Sequence, residues 1–406
     1  MARHPRLHLN APNSSILTSG DRPTSARLNL ESCLQEVLDG RELSVNEATA
    51  LLSVKIPEDI ERIRDASDRL RRQLVGETVT YVVNRNINFT NICEQHCSFC
   101  AFRRDAGTEG AYWLDRATIL DKASDAVQRG ATEICMQGGL NPEAIIDGSA
   151  LHYYVELVEA MKTHLPDLHL HAFSPQEIQF IARQDGLDYA TVILKLKQAG
   201  VDSMPGTAAE VLVPAVRRVL CPEKLTAQEW IDVVSTAHQL GMSVTCTMLG
   251  GHIESMADRA QHFDILRTIQ KRSLSEREVA FTEFILLPYV GELAPKKLRN
   301  QVGHDQPMLL DSLLTMAVAR LFMGRWIPNH QPSWVKLGLD GAATALNWGC
   351  NDIGGTLMEE HITSMAGAQG GTGQTVEDLK GAIASVGRPA QQRTTLYQPV
   401  VAPISL

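Results

Sequence analysis

Short apolar runs rich in β-forming residues recur along this chain, and segments of helical periodicity lie between them. That alternation restricts the fold to a parallel α/β architecture. The runs are 78–90, 132–137, 168–173, 201–204, 243–249 and 281–287, and helical segments are expected at 151–164, 189–199, 226–240 and 256–271. Parallel neighbours need a crossover between them, and one crossover repeated many times closes into a barrel. Two further strands are expected, one in 325–330 or 334–337 and one in 342–348. The predicted fold class is therefore α/β, a TIM-type (β/α) barrel, complete or nearly complete. A length of 406 residues suits one such domain, and 44% hydrophobic residues can fill its core.

The flanks read differently. Residues 1–28 hold Pro5, Pro12, Ser14, Ser15, Gly20, Pro23 and Ser25 with little apolar content, and are expected to form a mobile tail. They lack the apolar stretch of a signal peptide, so a cytoplasmic setting is expected. Residues 29–76 recur at helical spacing and form a helical lead-in. Within it Ser44 and Glu47 make a capping box at a helix start. The barrel is assigned to 77–390 and a C-terminal tail to 391–406. A net charge of −9 argues against nucleic acid or an anionic membrane as partner, since both call for a basic patch. No apolar run reaches the length of about 20 residues that spans a bilayer.

Directly after the first strand comes Cys93-Glu94-Gln95-His96-Cys97-Ser98-Phe99-Cys100. A C-x3-C-x2-C loop supplies three thiolates, enough to hold a 4Fe-4S cluster and leave one iron open for chemistry. A zinc site wants four ligands, and His96 is too close in sequence to its neighbours to complete a tetrahedron easily. A disulfide framework conflicts with eight cysteines in so long a chain. Cys33, Cys135, Cys221, Cys246 and Cys350 lie among mostly apolar neighbours and read as ordinary buried cysteines.

This loop, with an aromatic residue just before its last cysteine, resembles the radical S-adenosylmethionine (SAM) superfamily. The resemblance continues in Val83-Asn84-Arg85-Asn86-Ile87-Asn88-Phe89-Thr90-Asn91-Ile92, in 199–210, in Met248-Leu249-Gly250-Gly251-His252-Ile253-Glu254 and in Asn351-Asp352-Ile353-Gly354-Gly355-Thr356-Leu357. These motifs are similar to one subfamily, which holds the 4-hydroxybenzyl-transferring subunits of deazaflavin synthase and two futalosine-pathway enzymes of menaquinone biosynthesis. The lead into the cysteine loop and His169-Leu170-His171-Ala172-Phe173-Ser174-Pro175 are most similar to the deazaflavin branch.

The resemblance implies that Cys93, Cys97 and Cys100 hold the cluster while the amino acid part of SAM chelates the fourth iron. The reduced cluster then splits SAM to a 5′-deoxyadenosyl radical, chemistry that belongs to the cofactor. Phe99 would flank the adenine or simply pack in the core. Gln137, Gly138 and Gly139 stand at the second strand end, where bare backbone can approach the SAM amino group. Gly250 and Gly251 would admit the adenosine or form a turn. His171, Asp202, Ser203, Glu210, His252, Glu254, Asn351, Asp352 and Glu359 are polar residues at or near strand ends, candidates to hold a polyhydroxylated substrate. Glu210 and Glu359 are equally open to a helix-capping reading.

The implied reaction abstracts a hydrogen from L-tyrosine, breaks its Cα–Cβ bond and adds the 4-hydroxybenzyl radical to C5 of 5-amino-6-(D-ribitylamino)uracil. The implied partners are a second radical SAM subunit that closes the deazaflavin ring and an electron donor such as flavodoxin or ferredoxin. One cysteine motif in one barrel excludes a fused two-domain synthase. The rivals are a futalosine-type enzyme with a purine-bearing substrate, a sulfur inserter, for which a second cysteine cluster is lacking, and a non-enzymatic Fe–S or zinc module, which would need a fourth ligand.

Overall fold

The computed structural model describes residues 29–400, so the expected tail 1–28 and the last residues of 391–406 lie outside it. Three helices come first, α1 (Leu30–Leu38), α2 (Val45–Leu52) and α3 (Pro57–Val75). The Ser44 hydroxyl accepts from Glu47 N while the Glu47 carboxylate accepts from Ser44 N, the reciprocal cap expected from the sequence and worth about 1 kcal/mol.

Ten strands follow in chain order: β1 (Val79–Val82), β2 (Asn84–Ile87), β3 (Glu133–Met136), β4 (His169–His171), β5 (Ser203–Met204), β6 (Ser243–Gly250), β7 (Phe281–Pro288), β8 (His330–Pro332), β9 (Asp352–Gly355) and β10 (Ala390–Gln392). The remaining helices are α4 (Arg116–Gln128), α5 (Ala150–His164), α6 (Pro175–Asp185), α7 (Tyr189–Ala199), α8 (Pro214–Leu220), α9 (Ala227–Gln239), α10 (Met256–Glu276), α11 (Lys296–Val302), α12 (Leu309–Met323), α13 (Trp334–Ala345) and α14 (Val376–Ser385). The lead-in helices pack on the outer ring, α2 against α10 and α3 against α12.

Strands β2 to β8 form one parallel sheet in sequence order. The expected single strand 78–90 is in fact two. β1 pairs with β9 and β10, while β2, one residue further on, pairs with β3. Asn84 stitches the two halves, its Nδ2 donating to Glu133 Oε1 at 2.8 Å and its Oδ1 accepting from Leu357 N at 2.9 Å. On the other edge Asn351 N donates to His330 O at 3.1 Å, linking the start of β9 to β8. The eight strand positions thus run round a nearly complete barrel, with β9 and the β1–β2 pair as its last seam.

Of the two further strands expected, the one in 325–330 meets β8 only at His330, and the other spans are not strands. Residues 334–337 and most of 342–348 belong to α13 and the turn after it, and the strands that fill the seventh and eighth places are β8 and β9. Both are short, and β9 is Asp-Ile-Gly-Gly, too poor in β-formers to stand out. The apolar Ala342–Leu346 stretch is buried because it is the inner face of a helix.

Candidate active site

Strand ends on one side and strand starts on the other enclose a cavity of about 400 Å³ along the barrel axis. The C-terminal side is formed by the cysteine loop, Gln137-Gly138-Gly139, Ser174, Pro205 and Thr207. In parallel barrels that face carries the chemistry. The floor is formed by Asn84, Glu133, Glu283, Gln331, Arg393 and Thr395, most of them near the N-terminal ends of their strands.

The cysteine loop is held from several directions. Cys93 N donates to Arg104 O at 3.1 Å and Glu94 N to Leu140 O at 3.0 Å, which ties the loop to the segment after β3. Ser98 Oγ donates to Leu220 O at 2.6 Å, and His96 N to Glu223 Oε2 at 2.6 Å. Cys93, Cys97 and Cys100 are free thiols that line the cavity. Burial pushes Cys97 up to about 12, against the pull of the Lys224 cation. Among the described residues no three His, Cys, Asp or Glu side chains converge as a single ion would require. A four-iron cluster places a different iron on each thiolate, so three thiols spread along one wall suit it. The His96 side chain is exposed and faces Asp105 and Glu223.

Phe99 lines the same wall, with Lys224 Nζ 5.2 Å from its ring centroid. It also packs against the small apolar cluster of Leu220, Cys221, Leu249 and Tyr289. Gly138 and Gly139 line the cavity, and each is glycine because of what lies behind it. A Cβ on Gly138 would stand 2.7 Å from the Phe89 ring, and one on Gly139 would collide with the Ile92 carbonyl of the cysteine loop. Gln137 accepts at 2.7 Å from Thr207 Oγ1, joining two strand ends across the opening.

The structure separates the other candidates. His171 lines the cavity and shares a 2.7 Å hydrogen bond with Ser203 Oγ through Nδ1. Burial pushes it down to about 4, so the ring is neutral near pH 7. Glu210 lines the cavity beside the cysteines and pairs with Lys224 Nζ at 2.7 Å.

The rest lie outside the cavity. Asp202 precedes β5, at the wrong end of its strand, and pairs with Lys162 at 2.6 Å. Ser203 is buried behind His171. Gly250 and Gly251 do not reach the cavity: Gly251 has φ +84° and packs on Pro307, so its freedom serves a turn. His252 and Glu254 are fully buried beneath that turn. Glu254 accepts from His252 N at 2.8 Å and from Arg259 Nε at 2.8 Å. Asn351 accepts from Arg320 Nη2 at 2.7 Å and from His330 N at 2.9 Å, and Asp352 accepts from Arg393 and Thr80. Both therefore support the seam rather than the cavity surface. Glu359 faces Lys122 and Arg85 on the outside, each at 2.6 Å.

Sequence reasoning missed Glu133, Glu283, Lys336 and Arg393. A carboxylate inside an apolar strand, as in Phe281-Thr-Glu-Phe-Ile-Leu-Leu, is costly to bury and is itself the signal. Arg393 fell in the segment taken for a tail. In the structure it follows β10 and donates to Asp352 Oδ1 at 3.1 Å and to Glu283 Oε2 at 3.4 Å. With its amide nitrogen turned to them, the orientation that satisfies both of its ends, Gln331 donates to the same two carboxylates, at 2.9 Å to Glu283 and 3.2 Å to Asp352. Burial and the neighbouring Asp352 push the Glu283 carboxyl up while Arg393 opposes.

Residues 87–266 match the family model of the radical SAM superfamily, and residues 280–406 match that of the CofH/MqnC C-terminal region. The chain is 62% identical over 375 residues to a 5-amino-6-(D-ribitylamino)uracil–L-tyrosine 4-hydroxyphenyl transferase of Nostoc punctiforme, covering 92% of this chain and 99% of that one. The chain belongs to this transferase family within the radical SAM superfamily. A transferase of the same name from Cyanothece sp. is 63% identical over 369 residues, covering 91% and 97% of the two chains. Another, from Thermosynechococcus vestitus, is 62% identical over 380 residues, covering 90% and 97%. Among solved structures, methylornithine synthase (PylB) is similar with a TM-score of 0.65 at 19% identity, covering 88% of this chain and 96% of that one. The FeFe-hydrogenase maturase HydG from Carboxydothermus hydrogenoformans gives 0.67 at 14%, covering 91% and 80%. These two similarities speak for the fold alone. As a radical SAM enzyme the protein uses a 4Fe-4S cluster and SAM, and the three thiols on the cavity wall fit that cluster.

Proposed function

We propose that the protein cleaves L-tyrosine and transfers its 4-hydroxybenzyl group to C5 of 5-amino-6-(D-ribitylamino)uracil, the step that precedes ring closure to the deazaflavin. The observation that carries this reading is the near-full-length identity of about 62% to transferases bearing that name. Cys93, Cys97 and Cys100 hold the cluster, and the segment Gln137-Gly138-Gly139 receives SAM beside it. The bound cluster and SAM supply the hydrogen-atom abstraction that begins Cα–Cβ scission.

The chain's own contribution is enclosure and orientation. A cavity walled by Phe99, Leu249, Ile285, Leu287, Tyr289 and Val290 keeps a benzyl fragment away from water while it moves between substrates. The polar floor suits the ribityl hydroxyls. Glu133, Glu283 and Gln331 offer acceptors and donors, and neutral His171 keeps one ring nitrogen turned to the cavity after bonding Ser203 with the other. A hydroxyl buried without such partners would cost about 1–3 kcal/mol.

Within this reading the barrel spans 77–390, with 29–76 as its lead-in. The Arg393 contacts extend the functional unit beyond the tail boundary drawn from sequence. A second radical SAM subunit takes the adduct, a flavodoxin or ferredoxin supplies the electron, and the setting is cytoplasmic. Among the described residues no helix is long and apolar enough to cross a membrane. The reading is tested by anaerobic turnover with tyrosine and the ribitylaminouracil in one vessel and a futalosine precursor in the other. Turnover of the first pair alone is expected, and turnover of the second alone overturns the reading.

A further inference from the structure

Four cations line the cavity, and three of them are committed to carboxylates. Arg103 pairs with Asp105, Lys224 pairs with Glu210, and Arg393 bridges Asp352 and Glu283. Lys336, on the first turn of α13 where the chain leaves β8, is different. It lines the cavity and is partly buried, yet among the described residues its ammonium makes no hydrogen bond or ion pair. An ammonium partly withdrawn from bulk water and left unpaired is costly unless a ligand completes its donors. Asn86 Oδ1 and Tyr289 OH, on other walls of the same cavity, are likewise buried without a partner among the described residues. Of the four cations that line the cavity, Lys336 is thus the one left without a partner among the described residues.

We propose that Lys336 is the carboxylate anchor of the cavity and receives the α-carboxylate of the amino acid substrate. This rests on the tyrosine-cleaving reading above. Both tyrosine and the methionine part of SAM carry an α-carboxylate, but on the proposed reading Cys93, Cys97 and Cys100 would hold the cluster and the amino acid end of SAM would be taken up there. Lys336 stands on a separate strand end from that loop, so the carboxylate that remains for it is tyrosine's. Burial pushes Lys336 down to about 8, with Glu360 and Glu210 opposing. An arriving carboxylate would restore the charged form and gain a charge-assisted bond. Holding the carboxylate at one wall also fixes the Cα–Cβ bond relative to the thiol wall, the positioning that a radical scission needs.

The test uses reconstituted holoenzyme and reads equilibrium binding by calorimetry, with SAM and tyrosine titrated separately and tyramine, which lacks the carboxylate, as comparator. In the wild type tyrosine should bind more tightly than tyramine. Lys336→Met should weaken tyrosine roughly 10- to 100-fold, leave tyramine unchanged and leave SAM unchanged, while Lys336→Arg should keep most of the tyrosine affinity. If Lys336→Met reconstitutes poorly, Lys336→Gln with the same tyrosine-to-tyramine ratio decides the matter. Loss of SAM binding with tyrosine intact overturns the assignment in favour of SAM's carboxylate. Equal binding of tyrosine and tyramine by the wild type overturns it outright. If Lys336-dependent tyrosine binding holds but no transfer to the aminouracil occurs, the proposed reaction fails and the anchor stands.

Discussion

Arg393 Nη2 donates to Asp352 Oδ1 at 3.1 Å, tying the segment that follows the last strand to the first residue of β9. Both side chains are almost wholly buried, and Glu283, Gln331 and Tyr397 complete the network. The C-terminal segment is thus a structural floor for the barrel. Arg393→Met removes the cation and leaves two buried carboxylates facing each other. A loss of about 3–5 kcal/mol is expected in denaturant unfolding. Tyr397→Phe, which removes only the hydroxyl on Glu283, should cost about 1–2 kcal/mol. An unaltered midpoint for Arg393→Met would contradict the floor.

Replacing Cys93, Cys97 or Cys100 by Ala should abolish bound iron above background together with SAM cleavage, since on the proposed reading each thiolate would hold its own iron. Cys221→Ala and Cys350→Ala should keep both, with at most a packing cost of about 1–2 kcal/mol. Iron and sulfide analysis after anaerobic reconstitution checks this. Essential behaviour of Cys221, which lies near Cys97, would rewrite the ligand set.

Much of this was legible in the sequence because it was local. Strands β3, β4, β6 and β7 declared themselves by apolar runs between helical periods, and the thiol set by its spacing. What stayed hidden depended on register and closure. β8 and β9 are held by their neighbours rather than by propensity, so nothing in His330–Pro332 or Asp-Ile-Gly-Gly marks a strand. Polar residues near strand ends were taken for substrate ligands without knowing which end or face they occupy. Asp202 lies just before its strand and meets Lys162, while Glu359 turns away from the cavity to Arg85. His252 and Glu254 brace a turn. Long-range ion pairs such as Arg393 with Asp352, 41 residues apart, leave no local trace.

Glu177 gives a pH signature. It is buried at the start of α6, accepts from Gly138 N at 3.0 Å, and burial pushes it from an ordinary 4.5 up to about 7. Between those values the folded chain keeps a proton that the unfolded chain releases, so stability falls as pH rises from about 4.5 to 7 and levels off above. The total is about 3 kcal/mol at most. Glu177→Gln, which keeps the acceptor for Gly138, should flatten that part of the stability profile. An unchanged slope would contradict the buried, proton-retaining carboxyl.

Residues inside and outside the cavity should separate in kinetics. Glu133→Gln keeps the acceptor for Asn84 but removes a charge from the floor, and should raise KM for the ribitylaminouracil by about tenfold. Asp202→Asn and Glu359→Gln alter ion pairs outside the cavity and should leave both KM values within about twofold, with a stability loss of about 1 kcal/mol or less for Asp202 and about 1–3 kcal/mol for the more buried Glu359. Equal effects in the two groups would contradict the cavity as drawn.

The transferred group is traced by following ring-labelled tyrosine through one anaerobic incubation with reconstituted protein, reductant, SAM and 5-amino-6-(D-ribitylamino)uracil. Mass spectrometry should find 5′-deoxyadenosine and an aminouracil adduct carrying the labelled hydroxybenzyl carbons, formed only when all components are present. Formation of 5′-deoxyadenosine with the tyrosine label left wholly in tyrosine would rule out hydroxybenzyl transfer by this protein.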